Sequence, residues 1–354
     1  MIVTIRSYLS GHNGYGHLAE QLGISLEQIG CEVRLDPYGE IEAYGFSPWV
    51  QSKIRTTENG VLVGVDPPAG VSLVVNMPDQ LYPLDLPTCL FTMWETTRLP
   101  YNDANFRFSV PYLNHAHAIA VPCRWNAENF AAEGVTTPIT VVPLGVADIY
   151  RPAPMEMTGP TRFGFAARVA HGPPRKRVQE AIKAFGDAFP RGTEDVRLHI
   201  RCGERCMGFL GPIDDERIHL CSRPLSDAEM VAWYQRMTVG LFSSSGEGWG
   251  FNPIQMMACG RPVIACKYSG HAEYFDVDSG WEIEYDEVPA TGPVYDGLGN
   301  WAMPRHDSMV AALRDAHNDR QKCDDLGQQA AGIAFEFSWE RTALTLRSVL
   351  EGIA

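Results

Sequence analysis

Short apolar runs recur along the first half of the chain and are separated by polar or glycine-rich segments. Runs of this length are typical of parallel strands that are buried on both faces. Between the first two runs, Leu18, Leu22 and Leu26 follow the spacing of one helical face, so His17–Ile29 is predicted to be a helix. This helix ends at Gly30. The predicted strands are Ile2–Ile5, Cys31–Leu35, Val71–Val75, Thr88–Thr92, His117–Val121 and Ile139–Pro143.

The alternation of short apolar runs with polar or glycine-rich segments begins again after the proline-rich segment Tyr150–Pro154. Ser226 and Glu229 have the spacing of a capping box at the start of a helix. Residues 286–305 are rich in glycine and proline and are predicted to be a loop. Predicted strands are Arg162–Ala167, Val196–Ile200, Ile218–Cys221, Val239–Phe242 and Pro262–Cys266. Predicted helices are Val178–Phe189, Ser226–Met237, Asp307–Ala316, a segment from Lys322 onward, and Phe337–Leu350.

The strand and helix pattern indicates an α/β fold with parallel sheets. A chain of 354 residues fits two domains better than one. The predicted domains are residues 1–152 and 153–335, with residues 336–354 forming a helix that packs back on the N-terminal domain.

One stretch, Val239–Phe275, concentrates the signals for a binding site. Its strand leads into a serine- and glycine-rich turn that holds a single acid, Glu247. Asn252 occupies the position predicted for the N-cap of the next helix, and Pro253 the first helical position. A strand, a glycine-rich turn and a helix N-terminus together present backbone N–H groups to an anion, above all a diphosphate.

The segments Glu247–Gly250, Gln255–Val263 and Ser269–Glu273 resemble the donor-site signature of retaining glycosyltransferases of the GT-B fold, in particular glycosyltransferase family 4, also called group 1. The family pattern has two glutamates separated by seven residues. The first falls on Glu247, whereas the second position is occupied by Gln255. The resemblance implies two Rossmann-like domains facing each other across a cleft, with the donor on the second domain and the acceptor on the first.

The resemblance also implies roles for individual residues. Glu247 would orient the sugar hydroxyls, and Gln255 would hold the ribose through its amide. Arg168 and Lys176 would bind the diphosphate, and Arg175 is the alternative to Lys176. A plain solvated basic turn is the competing interpretation of this region. The remaining predicted substrate-binding residues are Gly14, Tyr15, Gly16, Arg223, Leu225, Gly246, Gly248, Trp249, Gly250, Phe251 and Asn252.

Glu95 follows the predicted strand Thr88–Thr92, where many family members have a histidine. Because the carboxyl ends of parallel strands face the ligand crevice, Glu95 is a candidate to accept a hydrogen bond from an acceptor hydroxyl. The alternative is an ion pair with Arg98.

Composition narrows the possible partners. The net charge of −14 disfavours a nucleic acid or an acidic lipid as acceptor without excluding either. The nine scattered cysteines indicate a reducing cytoplasm, and no apolar run has the length of a membrane span. Asp276-Val-Asp278 resembles a metal-binding pair, but the family resemblance implies a metal-independent enzyme without a cofactor.

The predicted reaction is therefore transfer of a hexosyl group from a UDP- or GDP-linked sugar to a hydroxyl of a glycan, a lipid-linked saccharide or a small molecule. Three alternatives remain at this point. Gly14-Tyr-Gly16-His-Leu-Ala19 fits the fingerprint of an NAD(P)-dependent dehydrogenase, with Asp36 near the position of the ribose-binding acid. The same GT-B fold also serves sugar-nucleotide epimerases. A sugar-nucleotide binder without catalytic activity is the third possibility, because of Gln255.

Overall fold

The computed structural model describes residues 1–9, 14–38, 46–59, 61–80, 83–102, 107–167, 175–192, 194–203, 208 and 210–354. Contacts within the chain divide it into two compact units. The first unit comprises Met1–Trp94, Arg98–Gly145 and Phe337–Ala354, and the second comprises Glu95–Thr97 and Val146–Glu336. The predicted α/β class with two Rossmann-like domains is confirmed.

The first unit is built on a parallel sheet in the order β10-β9-β6-β5-β1-β2. Its sheet strands are β1 (Ile2–Ser7), β2 (Glu32–Pro37), β5 (Val71–Val75), β6 (Thr88–Phe91), β9 (Ala118–Val121) and β10 (Ile139–Val141). The pairs β3 (Ile54–Thr56) with β4 (Leu62–Gly64) and β7 (Tyr101–Asn102) with β8 (Arg107–Phe108) are antiparallel. Its helices are α1 (Gly14–Gln28), α2 (Pro48–Lys53), α3 (Ser109–Leu113), α4 (Arg124–Ala132) and α10 (Trp339–Glu351).

The C-terminal helix α10 packs against α1 in this unit. Leu346 and Leu350 are fully buried on its inner face, as are Leu18 and Leu22 on α1. The Thr342 hydroxyl also donates to the carbonyl of Pro143 at 2.7 Å. Apolar burial and this hydrogen bond fix the last helix to the N-terminal sheet.

The second unit repeats the plan with a parallel sheet in the order β13-β12-β11-β14-β15-β16. Its strands are β11 (Thr161–Ala167), β12 (Val196–Cys202), β13 (Ile218–Cys221), β14 (Val239–Phe242), β15 (Val263–Ala265) and β16 (Gly280–Glu282). The antiparallel hairpin is β17 (Tyr285–Pro289) with β18 (Asn300–Pro304). Its helices are α5 (Val178–Ala188), α6 (Asp227–Gln235), α7 (Phe251–Ala258), α8 (His306–Asn318) and α9 (Arg320–Phe335).

The core of the second unit explains why these elements form. The rings of Phe163, Phe185 and Phe189 lie 5.5–6.3 Å apart between β11 and α5. β14 is buried throughout, which matches its continuous apolar sequence, and α7 is buried from Pro253 to Ala258. The predicted capping box is present, because the Ser226 side chain accepts from the Glu229 amide and Glu229 reaches back to the Ser226 amide.

Two predictions about local structure are wrong. Residues 286–305 are not all loop, because β17 and β18 form a five-residue antiparallel ladder there. The glycines that suggested a loop lie at the tip of this hairpin, where Gly292, Gly297 and Gly299 adopt positive φ. Likewise, α1 begins at Gly14 and not at the predicted His17, so Gly14 and Gly16 belong to its first turn.

Within the described residues, the helices all fall short of the length or the apolar character needed to cross a bilayer.

Candidate active site

The loop that follows β14 carries the centre of the candidate site. Ser245 is fully buried and Glu247 is only 8% exposed, so a carboxylate lies inside the second unit. In an open α/β sheet the carboxyl ends of the strands bind the ligand. The loop sits at such an end, between β14 and α7.

Glu247 is held by two cations from the segment that precedes α5. Its Oε2 accepts a hydrogen bond from Arg175 Nη1 at 2.8 Å, and its Oε1 pairs with Lys176 Nζ. Arg175 Nη1 also donates to the carbonyl of Gly246 at 2.7 Å. Burial alone would raise the pKa of Glu247, but the charges of Arg175 and Lys176 outweigh it and hold the pKa well below the usual value. Glu247 is therefore an anion at neutral pH.

Glu95 lies beside the same cations. Its Oε1 is 3.6 Å from Arg175 Nη2, so the structure gives it Arg175 as an ion-pair partner. Burial raises the pKa of Glu95, and the nearby charge of Glu247 raises it further, against the opposing effect of Arg175. A Cβ on Gly246 would lie 2.2 Å from the Glu95 carbonyl oxygen, so the two segments touch through their backbones. Glu95, Lys176, Gly246 and Glu247 thus come together as predicted site residues.

The start of α7 differs from its prediction. Gly250, with φ of 93°, is the N-cap residue, and Phe251 is the first helical residue. Asn252 lies inside the first turn, so its prediction as the N-cap is wrong. Its Oδ1 instead accepts a hydrogen bond from the Tyr234 hydroxyl at 2.9 Å. This side chain is used to join α7 to α6 and is not available to cap the helix.

His271 and Gly250 show why a glycine is required at this N-cap. A Cβ on Gly250 would lie 2.7 Å from the His271 ring and 2.9 Å from the Tyr274 hydroxyl oxygen. His271 is 2% exposed, and its Nε2 has no partner among the described residues. Burial lowers the pKa of His271 to about 4, so the ring is neutral at pH 7.

The loop is tied to the short 3-10 helix Ser269–Glu273 by reciprocal hydrogen bonds. The Glu247 amide donates to Ser269 Oγ at 2.9 Å, and the Gly270 amide donates to the Glu247 carbonyl at the same distance. The amide of Glu247 is therefore already engaged. Trp249, a predicted substrate-binding residue, is 1% exposed and packs edge-on against Tyr274, so its indole is part of the core.

Gln255 faces a residue that the sequence did not reveal. The Tyr234 hydroxyl lies 3.4 Å from Gln255 Oε1, and Tyr234 is fully buried. Tyr234 comes from α6 and carries no motif of its own. Because it binds Asn252 and approaches Gln255, it helps to fix the first turns of α7.

The other predicted residues occupy separate places. Arg223 is exposed and forms an ion pair with Glu229 at 2.8 Å, and Leu225 is half-buried nearby. Gly14, Tyr15 and Gly16 belong to the first unit, where the Tyr15 hydroxyl donates to the Met93 carbonyl at 3.0 Å. Arg168 lies outside the described residues, and Gly248 and Phe251 lie in the loop and first turn around Gly250.

The Asp276-Val-Asp278 pair forms a local turn. Asp276 Oδ1 accepts a hydrogen bond from the Asp278 amide at 3.0 Å, and the Asp276 amide donates to Ser279 Oγ at 3.1 Å. The two acids are therefore two residues apart because they belong to one hydrogen-bonded turn.

The two Rossmann-like units, with this loop at the end of β14, define a chain of the GT-B fold class. Residues 160–291, which contain the Glu247 loop and its cations, match the family model of glycosyl transferases group 1. The predicted resemblance to this family is confirmed over that segment, and the comparisons do not favour a dehydrogenase or an epimerase.

Curated relatives match a part of the chain. D-inositol 3-phosphate glycosyltransferase of Paenarthrobacter aurescens (strain TC1) is 31% identical over 133 residues, which is 37% of this chain and 28% of that protein. The protein of the same name from Kribbella flavida is 26% identical over 182 residues, 51% of this chain and 37% of that protein. The match thus spans well under half of these relatives.

Solved structures are similar over nearly the whole chain. Sucrose-phosphate synthase from Thermosynechococcus elongatus has a TM-score of 0.69 at 14% identity and covers 99% of this chain and 98% of its own. HepE from Anabaena, solved in complex with UDP-glucose, has a TM-score of 0.66 at 14% identity, with 99% of both chains covered. At this level of identity the likeness shows the fold alone.

Proposed function

We propose that this protein is a retaining glycosyltransferase that moves a hexosyl group from a nucleotide diphosphate sugar to an acceptor hydroxyl. The observation that carries the proposal is the buried carboxylate of Glu247 held by Arg175 and Lys176 at the end of β14. This cluster lies within the segment that matches group 1 glycosyltransferases. Its chemistry suits a donor that has both a diphosphate and sugar hydroxyls.

The cations would act on the leaving group. Negative charge develops on the diphosphate as the glycosidic bond breaks, so fixed positive charges stabilise the transition state more than the ground state. Lys176 and Arg175 supply two such charges from a buried position, and Arg168 would supply a third. The N-terminus of α7 would add backbone amides from Gly248 to Asn252.

The carboxylate and the amide would bind the neutral parts of the donor. In this proposal Glu247 turns from its cations to accept hydrogen bonds from sugar hydroxyls when the diphosphate takes its place. Gln255 would hold the ribose hydroxyls with one acceptor oxygen and two donor hydrogens. Arg223 and Leu225 would flank the base of UDP or GDP, and Gly14, Tyr15 and Gly16 remain proposed substrate-binding residues.

The acceptor side of the reaction rests on Glu95. Its carboxyl group lies next to Arg175, where it would accept a hydrogen bond from the attacking hydroxyl. A donor phosphate oxygen would take the proton in a front-face reaction, which retains the anomeric configuration and uses no metal or cofactor. The proposed acceptor is a glycan, a lipid-linked saccharide or a small molecule, and the acidic net charge disfavours nucleic acid without excluding it.

The cellular location of the protein is also part of the proposal. All eight described cysteines are free thiols, seven of them buried, and this supports a reducing, cytoplasmic location.

The test is incubation of the protein with UDP- and GDP-linked hexoses and a panel of hydroxyl acceptors. The panel includes inositol 3-phosphate, because that ligand appears in the names of the curated relatives. Release of UDP or GDP with formation of a glycoside of unchanged anomeric configuration is expected. Isomerised sugar from donor alone would identify an epimerase, and donor binding without turnover on any acceptor would identify a binder.

A further inference from the structure

Arg177 adopts a backbone conformation that is unusual for its residue type. Its φ and ψ are 53° and 37°, in the left-handed region, at the N-cap of α5. A Cβ makes this region unfavourable, so glycine is the residue that normally occupies it. The surroundings of an arginine in this state must therefore hold it there.

The side chain of Arg177 explains how the conformation is held. Its Nε donates to Ser245 Oγ at 2.7 Å, and its guanidinium carbon lies 5.1 Å from the centre of the Trp301 ring. Its Nη1 pairs with Glu180 at 3.0 Å. Arg177 is only 6% exposed, although it carries a permanent charge.

The hydrogen bond between Arg177 and Ser245, here called the Arg177 anchor, is reinforced by further bonds that involve the backbone. The Ser243 hydroxyl donates to the Arg177 carbonyl at 3.1 Å, and the Ser245 amide donates to the Arg175 carbonyl at 2.7 Å. On its other side, the Ser245 carbonyl accepts from the Ala302 amide at 2.9 Å. Three segments are thereby joined: the residues before α5, the loop after β14, and strand β18.

The Arg177 anchor is close in sequence to the charged cluster formed by Arg175, Lys176 and Glu247. Lys176, which pairs with Glu247, directly precedes Arg177, and Ser245 is two residues before Glu247. The side-chain bond between Arg177 and Ser245 thus fixes the segment of the cations against the loop of the carboxylate. No contact between Arg177 and Glu247 is needed for this effect.

We propose that Arg177 is a positioning residue for the diphosphate site, which holds Lys176 and the Ser243–Glu247 loop in the arrangement that receives the donor. This inference rests on the proposed function. It assigns to Arg177 no contact with substrate, but control over where the neighbouring cation lies.

The test separates the backbone of residue 177 from its side chain. Arg177→Gly removes the guanidinium and favours the left-handed backbone, so the relief of backbone strain offsets part of the loss of the side-chain bonds, and the variant is expected to stay folded at the temperature of the binding assay. The dissociation constant of UDP or GDP is expected to rise by about tenfold to a hundredfold, because displaced binding groups lose affinity steeply. Free guanidinium ion, far below denaturing concentration, should restore affinity, whereas equal NaCl should not.

Arg177→Lys is the matched control. It keeps the positive charge but lacks the planar fork that binds Ser245 and stacks on Trp301. Its affinity for UDP or GDP should therefore fall as in Arg177→Gly.

Three results would overturn the inference: unchanged nucleotide affinity in Arg177→Gly, loss of affinity with a matching loss of thermal midpoint and no rescue, or wild-type affinity in Arg177→Lys. If wild-type protein binds neither UDP nor GDP, the proposed function itself fails.

Discussion

Glu247 and Arg175 are joined by a 2.8 Å hydrogen bond inside the second unit, although they are 72 positions apart in the chain. The bond links an anion that would bind sugar hydroxyls to a cation that would bind the donor diphosphate. Each group satisfies the other in the structure. Under the proposed function, a donor exchanges this internal ion pair for its own phosphate and hydroxyl groups.

Replacement of Glu247 by glutamine tests this exchange. Glu247→Gln should lower the rate of transfer by at least about a hundredfold, because a charged acceptor for the sugar is lost. Binding of UDP or GDP alone should stay equal or become tighter, because the carboxylate no longer competes for Arg175 and Lys176. The measurements are steady-state transfer and calorimetric titration with the nucleotide.

Glu351→Gln is the control for that variant, since Glu351 lies in an exposed pair with Arg347 on α10. Its transfer rate and nucleotide affinity should match the wild type. A parallel loss of nucleotide affinity and transfer in Glu247→Gln would contradict the exchange.

Gln255 offers a gain-of-function prediction. Gln255→Glu would place a carboxylate at the second acidic position of the family pattern, near the Tyr234 hydroxyl. Hydrogen bonds to charged groups are stronger than neutral ones by about 1 kcal/mol, so the dissociation constant of UDP or GDP should fall by about fivefold. Gln255→Leu should raise it. Weaker nucleotide binding by Gln255→Glu than by Gln255→Leu would remove residue 255 from the ribose site.

Gly250 is predicted to resist replacement for two reasons, its backbone conformation and its neighbours. Gly250→Ala should destabilise the fold by about 1–2 kcal/mol through its left-handed backbone and by a further 1–3 kcal/mol, roughly, through the contact with His271. Gly192→Ala is the matched control, because Gly192 also has positive φ but has no neighbour within 4 Å of the position that an added methyl group would take. Denaturant unfolding of both variants gives the difference; equal losses would rule out the contact as a source of strain.

Acid stability should depend on His271. Burial lowers the pKa of this ring to about 4, whereas an unfolded histidine has a pKa of about 6.5. As pH falls from about 6.5 to about 4, the unfolded state binds a proton that the folded state does not, so the free energy of unfolding decreases. The loss from one such group is about 3 kcal/mol, and it is absent above pH 6.5.

The measurement is urea unfolding at several pH values. His271→Asn should reduce the dependence of the free energy of unfolding on pH between pH 6.5 and 4, by an amount that corresponds to the uptake of close to one proton. His199, whose pKa burial also lowers to about 4, accounts for part of the remaining dependence. An unaltered pH dependence in His271→Asn would show that the ring titrates normally in the folded protein.

The sequence predicted the fold and the loop because both are local signals. The apolar run Val239–Phe242, the following glycines and the stop at Gly260 specify a strand, a turn and a helix without reference to distant residues. The residues of β11, β12 and β13 are equally clear from their length and β-branched or aromatic content.

What the sequence did not reveal depends on contacts between distant segments. Asn252 has the residue type of an N-cap, but the Tyr234 hydroxyl binds its side chain and Gly250 takes the cap position. The glycines around 292–299 resembled a loop because they form the hairpin tip, while the pairing of Tyr285 with Pro304 lies beyond them. The anchor of Arg177 on Ser245 has no sequence signal, since the two residues are 68 positions apart.

The central claim is that Arg175, Lys176 and the Glu247 loop receive the diphosphate of a nucleotide sugar. The most direct test is calorimetric titration of the wild type and of Lys176→Met. Each protein is titrated with UDP and uridine and with GDP and guanosine, so that each diphosphate is compared with its nucleoside. We predict that one diphosphate binds the wild type at least about tenfold more tightly than its nucleoside, because the diphosphate carries more negative charge than the carboxylate that it displaces from Arg175 and Lys176. Lys176→Met should lose most of that preference. Equal binding of nucleotide and nucleoside, or a preference that survives Lys176→Met intact, would contradict it.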